Sequence, residues 1–141
     1  MKKLVCILLS AVILFTLASC GSAKTQQSSG EIDIDLSAMS GTMVYSEVYN
    51  MMSEPENYIG KKVRMEGLFS MVEGEGRNYF TCIITDATAC CSQGVEFSLK
   101  GDYKYPEDYP ELGDPVTVVG VFETYKEGSN KYCQLKDAEF E

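Results

Sequence analysis

Four cysteines dominate the chemistry available beyond residue 20: Cys82, Cys90, Cys91 and Cys133. Two of them are adjacent in DATACCSQG, the stretch from Asp86 to Gly94, and the chain contains no histidine. Thiolates serve as nucleophiles, redox couples and soft-metal ligands, and outside reducing compartments paired thiols close into disulfides. Three readings compete. The first is one or two disulfides, joining Cys133 to the Cys90 and Cys91 pair or Cys82 to Cys91. The second is free thiols packed as small apolar groups. The third is a zinc or other soft-metal site using all four. Against it stand the missing C-x₂-C knuckles and the opposed directions of adjacent side chains on a strand. Thiol-redox catalysis has less support, because no C-x-x-C lies between a strand and a helix.

Other catalytic chemistry finds no foothold. A general base of the usual kind is missing with histidine, and no nucleophile motif is present. Glu73 to Gly76 (EGEG) is too short for a phosphate-cradling loop. Carboxylates are plentiful but fall in apparent loops, where no apolar pocket would raise a pKa for acid catalysis. The expectation is a chain that is not an enzyme and carries no cofactor, with zinc or another soft metal on the cysteines as the alternative. Methionines at helical spacing between Thr42 and Ser53 read as core filler before they read as copper ligands. Asp33 and Asp35 lack the glycine-bearing loop of an EF-hand. Gly101 to Asp114 (GDYKYPEDYPELGD) crowds three tyrosines and five acids together. It reads as a stiff connector with its rings over one end of the fold, as an acidic, aromatic docking site for a cationic partner, or as a hard-cation site built from Asp102, Glu107, Asp108, Glu111 and Asp114, although no spacing matches a calcium loop.

The elements that must position these residues follow from periodicity. Thr42 to Ser53 (TMVYSEVYNMMS) places Val44, Val48, Met51 and Met52 on one helical face, with Thr42 or Ser40 as cap and Pro55 as stop. Beyond it the period becomes two. Lys62 to Met71 alternates with Val63, Met65, Phe69 and Met71 inward, and Pro115 to Thr124 repeats the design, each strand carrying a central glycine, Gly67 or Gly120. Tyr79 to Asp86, Gly94 to Leu99 and Asn130 to Phe140 complete five strands. In a hairpin turning at Asp86 to Ala89, Cys82 and Cys91 point inward as diagonal neighbours and Cys90 points out. Glu31 to Leu36 alternates acid and aliphatic and adds a possible edge strand.

Five short strands with a glycine-kinked first and fourth resemble the OB-fold. The resemblance implies a mainly all-β, five-stranded Greek-key barrel with one short N-terminal helix. Tyr58 to Gly67 (YIGKKVRMEG), DATACC and YPEDYPELGD are similar to an uncharacterised family of small bacterial OB-fold lipoproteins, which implies a fold and no activity. OB-folds bind on the outer face of their second and third strands, which here implies a ligand face of Tyr79, Thr81, Ile83, Thr85, Glu96 and Ser98. Its flanking loops are Glu73 to Asn78 and Lys126 to Asn130, with Arg77, Lys100 and Lys126 as the nearby cations.

The N-terminus bears on the compartment. Lys2 and Lys3 precede an apolar run from Leu4 to Leu17, about 14 residues against the roughly 17 to 25 of a membrane-spanning helix. Leu17-Ala18-Ser19-Cys20 resembles the lipobox of bacterial lipoproteins. That implies cleavage before Cys20, a diacylglycerol on its sulfur with palmitate-type chains, and attachment to a membrane outside the cytoplasm. The expected organisation is a signal peptide at 1–19, a flexible tether at 20–40 rich in Ser, Gly and Gln, and an OB-fold-like domain at 41–141. Loss of Lys2 and Lys3 leaves 10 basic against 21 acidic side chains, a net charge of −11. Nucleic acid is a poor partner for such a surface. The expected function is a non-catalytic binding module for a protein, peptide or sugar. Its partners are the bilayer through Cys20 and an envelope protein or a neutral or cationic ligand, with a structural envelope component as a further alternative.

Overall fold

A computed structural model of the chain describes residues 30–74, 76–88 and 90–141. The expected signal peptide, the expected acylation site at Cys20 and the first half of the expected tether lie outside the described residues. What is described is mainly β: one α-helix and one six-stranded sheet. In chain order the elements are β1 (Ile34–Asp35), α1 (Gly41–Ser53), β2 (Lys62–Glu73), β3 (Asn78–Thr85), β4 (Ser92–Leu99), β5 (Pro115–Glu127) and β6 (Asn130–Phe140). Single 3₁₀ turns at Leu36–Ala38 and Pro55–Asn57 flank α1.

The sheet runs β1-β2-β3-β4-β6-β5, and β2 also pairs with β5. The long strand β2 accomplishes this by changing partners along its length. Lys62 to Leu68 pair antiparallel with β5, and Leu68 to Glu73 pair antiparallel with β3. The exchange happens beside Gly67, where a Cβ would collide with the Ile83 carbonyl and the Cys82 sulfur, so glycine alone lets β3 come this close. The shared design of β2 and β5 is paired head to tail: Val63 faces Gly120, Met65 faces Val118 and Gly67 faces Val116. The two glycines thus mark opposite ends of one antiparallel ladder. Gly120 sits at a register shift between Val119 and Val121, and a Cβ there would lie 3.0 Å from that of Leu135 and 3.1 Å from that of Ala138.

Alternation sends one set of side chains into a continuous core that includes Val63, Met65, Phe69, Cys82, Val95, Phe97, Val118, Phe122 and Leu135. The helix closes part of this core against β3 and β4 through Val44, Val48 and Met51, spaced at one helical stripe. Met52, expected on that stripe, is instead 41% exposed, because at about 100° per residue it falls outside the arc spanned by Val44, Val48 and Met51. Ser40 occupies the cap position, but its hydroxyl makes no capping bond.

Part of the segment expected as tether packs against the sheet. The Asp33 N–H donates to the Lys62 carbonyl, the Lys62 N–H donates to Asp33 Oδ2 at 2.7 Å, β1 pairs parallel with Val63 and Arg64, and Leu36 is fully buried. Arg64 clamps Asp35 at 2.8 Å and Glu141 at 2.7 Å, tying both ends of the described chain to β2. The Gly101 to Asp114 connector folds back over one end of the sheet. Tyr109 stacks on Phe80 at 4.2 Å between centroids and Tyr105 packs beside it, while Glu107, Asp108, Glu111 and Asp114 are exposed.

Candidate functional site

Tyr79, Thr81 and Ile83 on β3 and Glu96 and Ser98 on β4 have the opposite parity to Phe80, Cys82, Val95 and Phe97, so all five lie on the outer face of the sheet. The structure brings them together with residues from β5 and with Arg77. Arg77 precedes β3, and its guanidinium lies over the rings of Tyr79 at 4.2 Å and Tyr125 at 5.3 Å. Its Nη2 donates to the Tyr125 hydroxyl at 2.8 Å and stands 3.4 Å from Glu96, and its Nε is 3.6 Å from Glu127. The carboxylates are tied in turn: Tyr125 donates to Glu96 Oε2, and Tyr79 donates to Glu127 Oε2 at 2.7 Å.

The result is a box of two aromatic walls and two carboxylates that holds one guanidinium. Such a box attracts cations because ring quadrupoles and acids present negative charge to the same point. Burial, followed by its bond to the Glu96 carboxylate, pushes the Tyr125 phenol above its ordinary value, so the hydroxyl stays protonated and goes on donating. Tyr132 stacks on Tyr125 with centroids 5.6 Å apart and extends the aromatic surface along β6. Glu123, bonded by Gln134 at 2.8 Å, extends the acidic one. Thr81 donates to the Ser70 carbonyl at 3.3 Å and supports the strand pair; Ile83 packs beside Gly94, and Ser98 lies further along the same face.

Tyr125, Glu127, Tyr132 and Glu123 were absent from the ligand face expected from sequence. Their signal was the alternation Glu123, Tyr125, Glu127, which continues past Thr124, where the strand was expected to end. β5 in fact runs on to Glu127.

The cysteines are placed differently from expectation. Cys82 is fully buried in the core, opposite Val95. Cys133 is half-buried on β6, opposite Thr124. Cys91 does not point inward beneath Cys82: β4 begins only at Ser92, so Cys91 belongs to the turn, is exposed, and escapes the strand parity that put it inside. Cys90 is exposed beside it, and all four thiols are free.

In this turn Asp86 acts as a hub. Its Oδ1 accepts the backbone N–H groups of Thr88 at 3.2 Å, Cys90 at 2.9 Å and Cys91 at 3.4 Å, and its own N–H donates to the Cys91 carbonyl. Its Oδ2 accepts from the Thr88 hydroxyl at 3.0 Å and the Cys90 thiol at 3.3 Å. Burial works against ionisation of this carboxyl, but the bonds from Cys90, Thr88 and the backbone outweigh it and hold the pKa below the ordinary range. The Cys90 and Cys91 sulfurs lie 3.6 Å apart.

Two open clefts lie elsewhere among the described residues. One of about 500 Å³ is lined by Glu66, Glu107, Asp108, Tyr109 and Phe140 among others. The other, about 480 Å³, lies between the Leu36–Ala38 turn, α1 and β2, and is floored by Leu36, Val44 and Leu68. Neither gathers the aromatic and charged groups found on the sheet face. Compared with protein-family models, with curated proteins and with solved structures, the chain matches none of them.

Proposed function

We propose that the chain is a lipoprotein held outside the cytoplasm by an acylated Cys20, and that its domain is an OB-fold-like barrel that binds rather than catalyses. Support for the barrel comes from the pairing of β2 with both β3 and β5 and of β6 with both β4 and β5, a cyclic arrangement of five strands. Support for the anchor is the Leu17 to Cys20 motif behind an apolar run. The ligand is a protein or peptide segment that presents a cationic side chain to the outer face.

One observation carries the ligand class: the sheet face already holds a guanidinium, that of Arg77, between Tyr79, Tyr125, Glu96 and Glu127. A partner's arginine or lysine fits the same chemistry by displacing Arg77 or stacking on Tyr132, and the acidic surface steers it there.

The test is a titration of the detergent-held protein with an arginine-bearing peptide, followed by amide shifts. Shifts are expected at Tyr79, Glu96 and Tyr125. Tyr125→Ala should remove about 0.5–2 kcal/mol of binding, and Arg77→Ala, which vacates the box, should strengthen it. Shifts confined to another surface, or equal response to a neutral oligosaccharide, would sink the cationic reading. Cys20→Ala should release the protein from membranes, and retention there would sink the anchor.

A further inference from the structure

The turn between β3 and β4 leaves unexplained why two adjacent thiols should be held side by side in the open. Neighbouring side chains on a strand diverge. Here the Asp86 carboxylate gathers the N–H groups of Thr88, Cys90 and Cys91 on one oxygen and curls the backbone, so the two sulfurs converge at 3.6 Å. The other Asp86 oxygen lies 3.3 Å from Cys90 Sγ, and donor atoms of all three side chains fall within 4.8 Å of one another.

These separations can be set against coordination geometry. Two sulfurs bound tetrahedrally to zinc at about 2.3 Å stand about 3.8 Å apart, and a sulfur and a carboxylate oxygen on the same ion stand about 3.6 Å apart. The Cys90–Cys91 and Cys90–Asp86 separations depart from these by about 0.3 Å or less, and Cys91 Sγ, within 4.8 Å of the Asp86 carboxylate, closes on it by side-chain rotation. A disulfide would require the sulfurs to close to about 2.05 Å.

We propose that Asp86, Cys90 and Cys91 form a binding site for a thiophilic divalent cation of the zinc type, with two thiolates and one carboxylate oxygen as protein ligands and a fourth position open to solvent. Loading forms two metal–sulfur bonds and one metal–oxygen bond, and the two thiol protons leave to water. Sulfur donors exclude calcium and magnesium, which take oxygen ligands. The Thr88 hydroxyl, 3.1 Å from Cys90 Sγ and 3.0 Å from Asp86 Oδ2, has one proton that it can donate to either ligand once the thiol proton has gone. Three protein ligands with one open position describe a site from which a metal can be exchanged, in contrast to the closed four-ligand sites that serve structure. Cys82 in the core and Cys133 on β6 take no part.

The experiment uses the membrane-anchored protein purified in detergent and fully reduced with a phosphine, titrated with Co²⁺ and then with Zn²⁺. The expected result is one Co²⁺ per chain with a thiolate-to-metal charge-transfer absorption that Zn²⁺ abolishes. Cys90→Ser and Cys91→Ser should each remove the absorption and weaken Zn²⁺ binding about 100-fold or more, and Asp86→Asn should weaken it about 10- to 100-fold. Cys133→Ser should change nothing. Protection of Cys82 from alkylation in each variant reports that the fold is intact, independently of metal. No absorption in the reduced protein, absorption that survives the Cys90→Ser, Cys91→Ser double variant, absorption that requires Cys133, or unchanged affinity in Asp86→Asn would each overturn the site.

Discussion

At the scale of single residues, the four thiols of the domain differ in what their surroundings do to the sulfur. Cys82 has no exposed surface, and burial, followed by the Glu66 charge, pushes its pKa up to about 12. On the turn, Cys91 is also raised, first by its contact with the Cys90 thiol, then by burial and the Asp86 charge. Cys133 is raised chiefly by burial. Because the thiolate is the reactive form, access and ionisation together order the labelling. In the folded protein at neutral pH an alkylating agent should modify Cys90 and Cys91 first, Cys133 slowly, and Cys82 only after denaturation, as read by peptide mass spectrometry. Labelling of Cys82 at the rate of Cys90 would contradict the core position. Arg77 shows the same dependence on surroundings: a lone cation in an acidic sequence becomes, between Tyr79 and Tyr125, the occupant of the most organised polar cluster on the sheet.

At the scale of elements, the exchange of partners along β2 rests on Gly67. Adding one methyl there must separate β2 from β3 or displace the Cys82 side chain. Gly67→Ala should therefore cost about 1–3 kcal/mol, read as a lowered urea midpoint. The same substitution at the exposed Gly41, where a Cβ would meet nothing within 4 Å, should leave stability unchanged or slightly raised. Much of this layer was legible in the chain. The period-two runs gave five strands close to their observed spans, and the Val44, Val48, Met51 stripe gave the helix, because burial on one face leaves a direct trace in composition.

What was not legible depended on contacts distant in sequence. The edge strand offered by Glu31 to Leu36 is present as β1, but its length of two residues and its partner are set by Lys62 and Arg64, 29 residues downstream of Asp33 and Asp35. The Tyr125 and Glu127 contribution to the outer face depended on where β5 ends. The placement of Cys91 failed because Thr85 ends one strand and Ser92 begins the next, so parity cannot be carried through the intervening turn.

At the scale of the whole molecule, the carboxylates that join distant parts of the chain decide its response to acid. Asp35 is held below its ordinary value of 3.8 by hydrogen bonds from Ser37 and Arg64. Glu141 is held below 4.5 by Arg64, with burial opposing, and Glu56 is held below 4.5 by Lys131. A carboxyl whose folded pKa is depressed contributes stability above its unfolded pKa and loses it as pH falls through the folded value. The contribution should be complete above about pH 5 and decline below the ordinary values of 3.8 and 4.5. Urea unfolding at pH 7 and near pH 3, at moderate salt to screen the general acidic repulsion, should show a lowered midpoint at acid pH. Arg64→Ala should lower the midpoint at pH 7 more than at pH 3, and an equal loss at both would contradict this account.

The position of β1 has a mechanical side. Were the proposed partner to hold the sheet face and the proposed anchor the N-terminal end, tension between them would reach the described sheet first at Asp33. It falls first on the short β1–β2 ladder and the Arg64 clamp. Rupture there would draw Leu36 out of the core while β2 to β6 stay paired, so under such a load the edge strand would be a fuse that yields before the sheet face does.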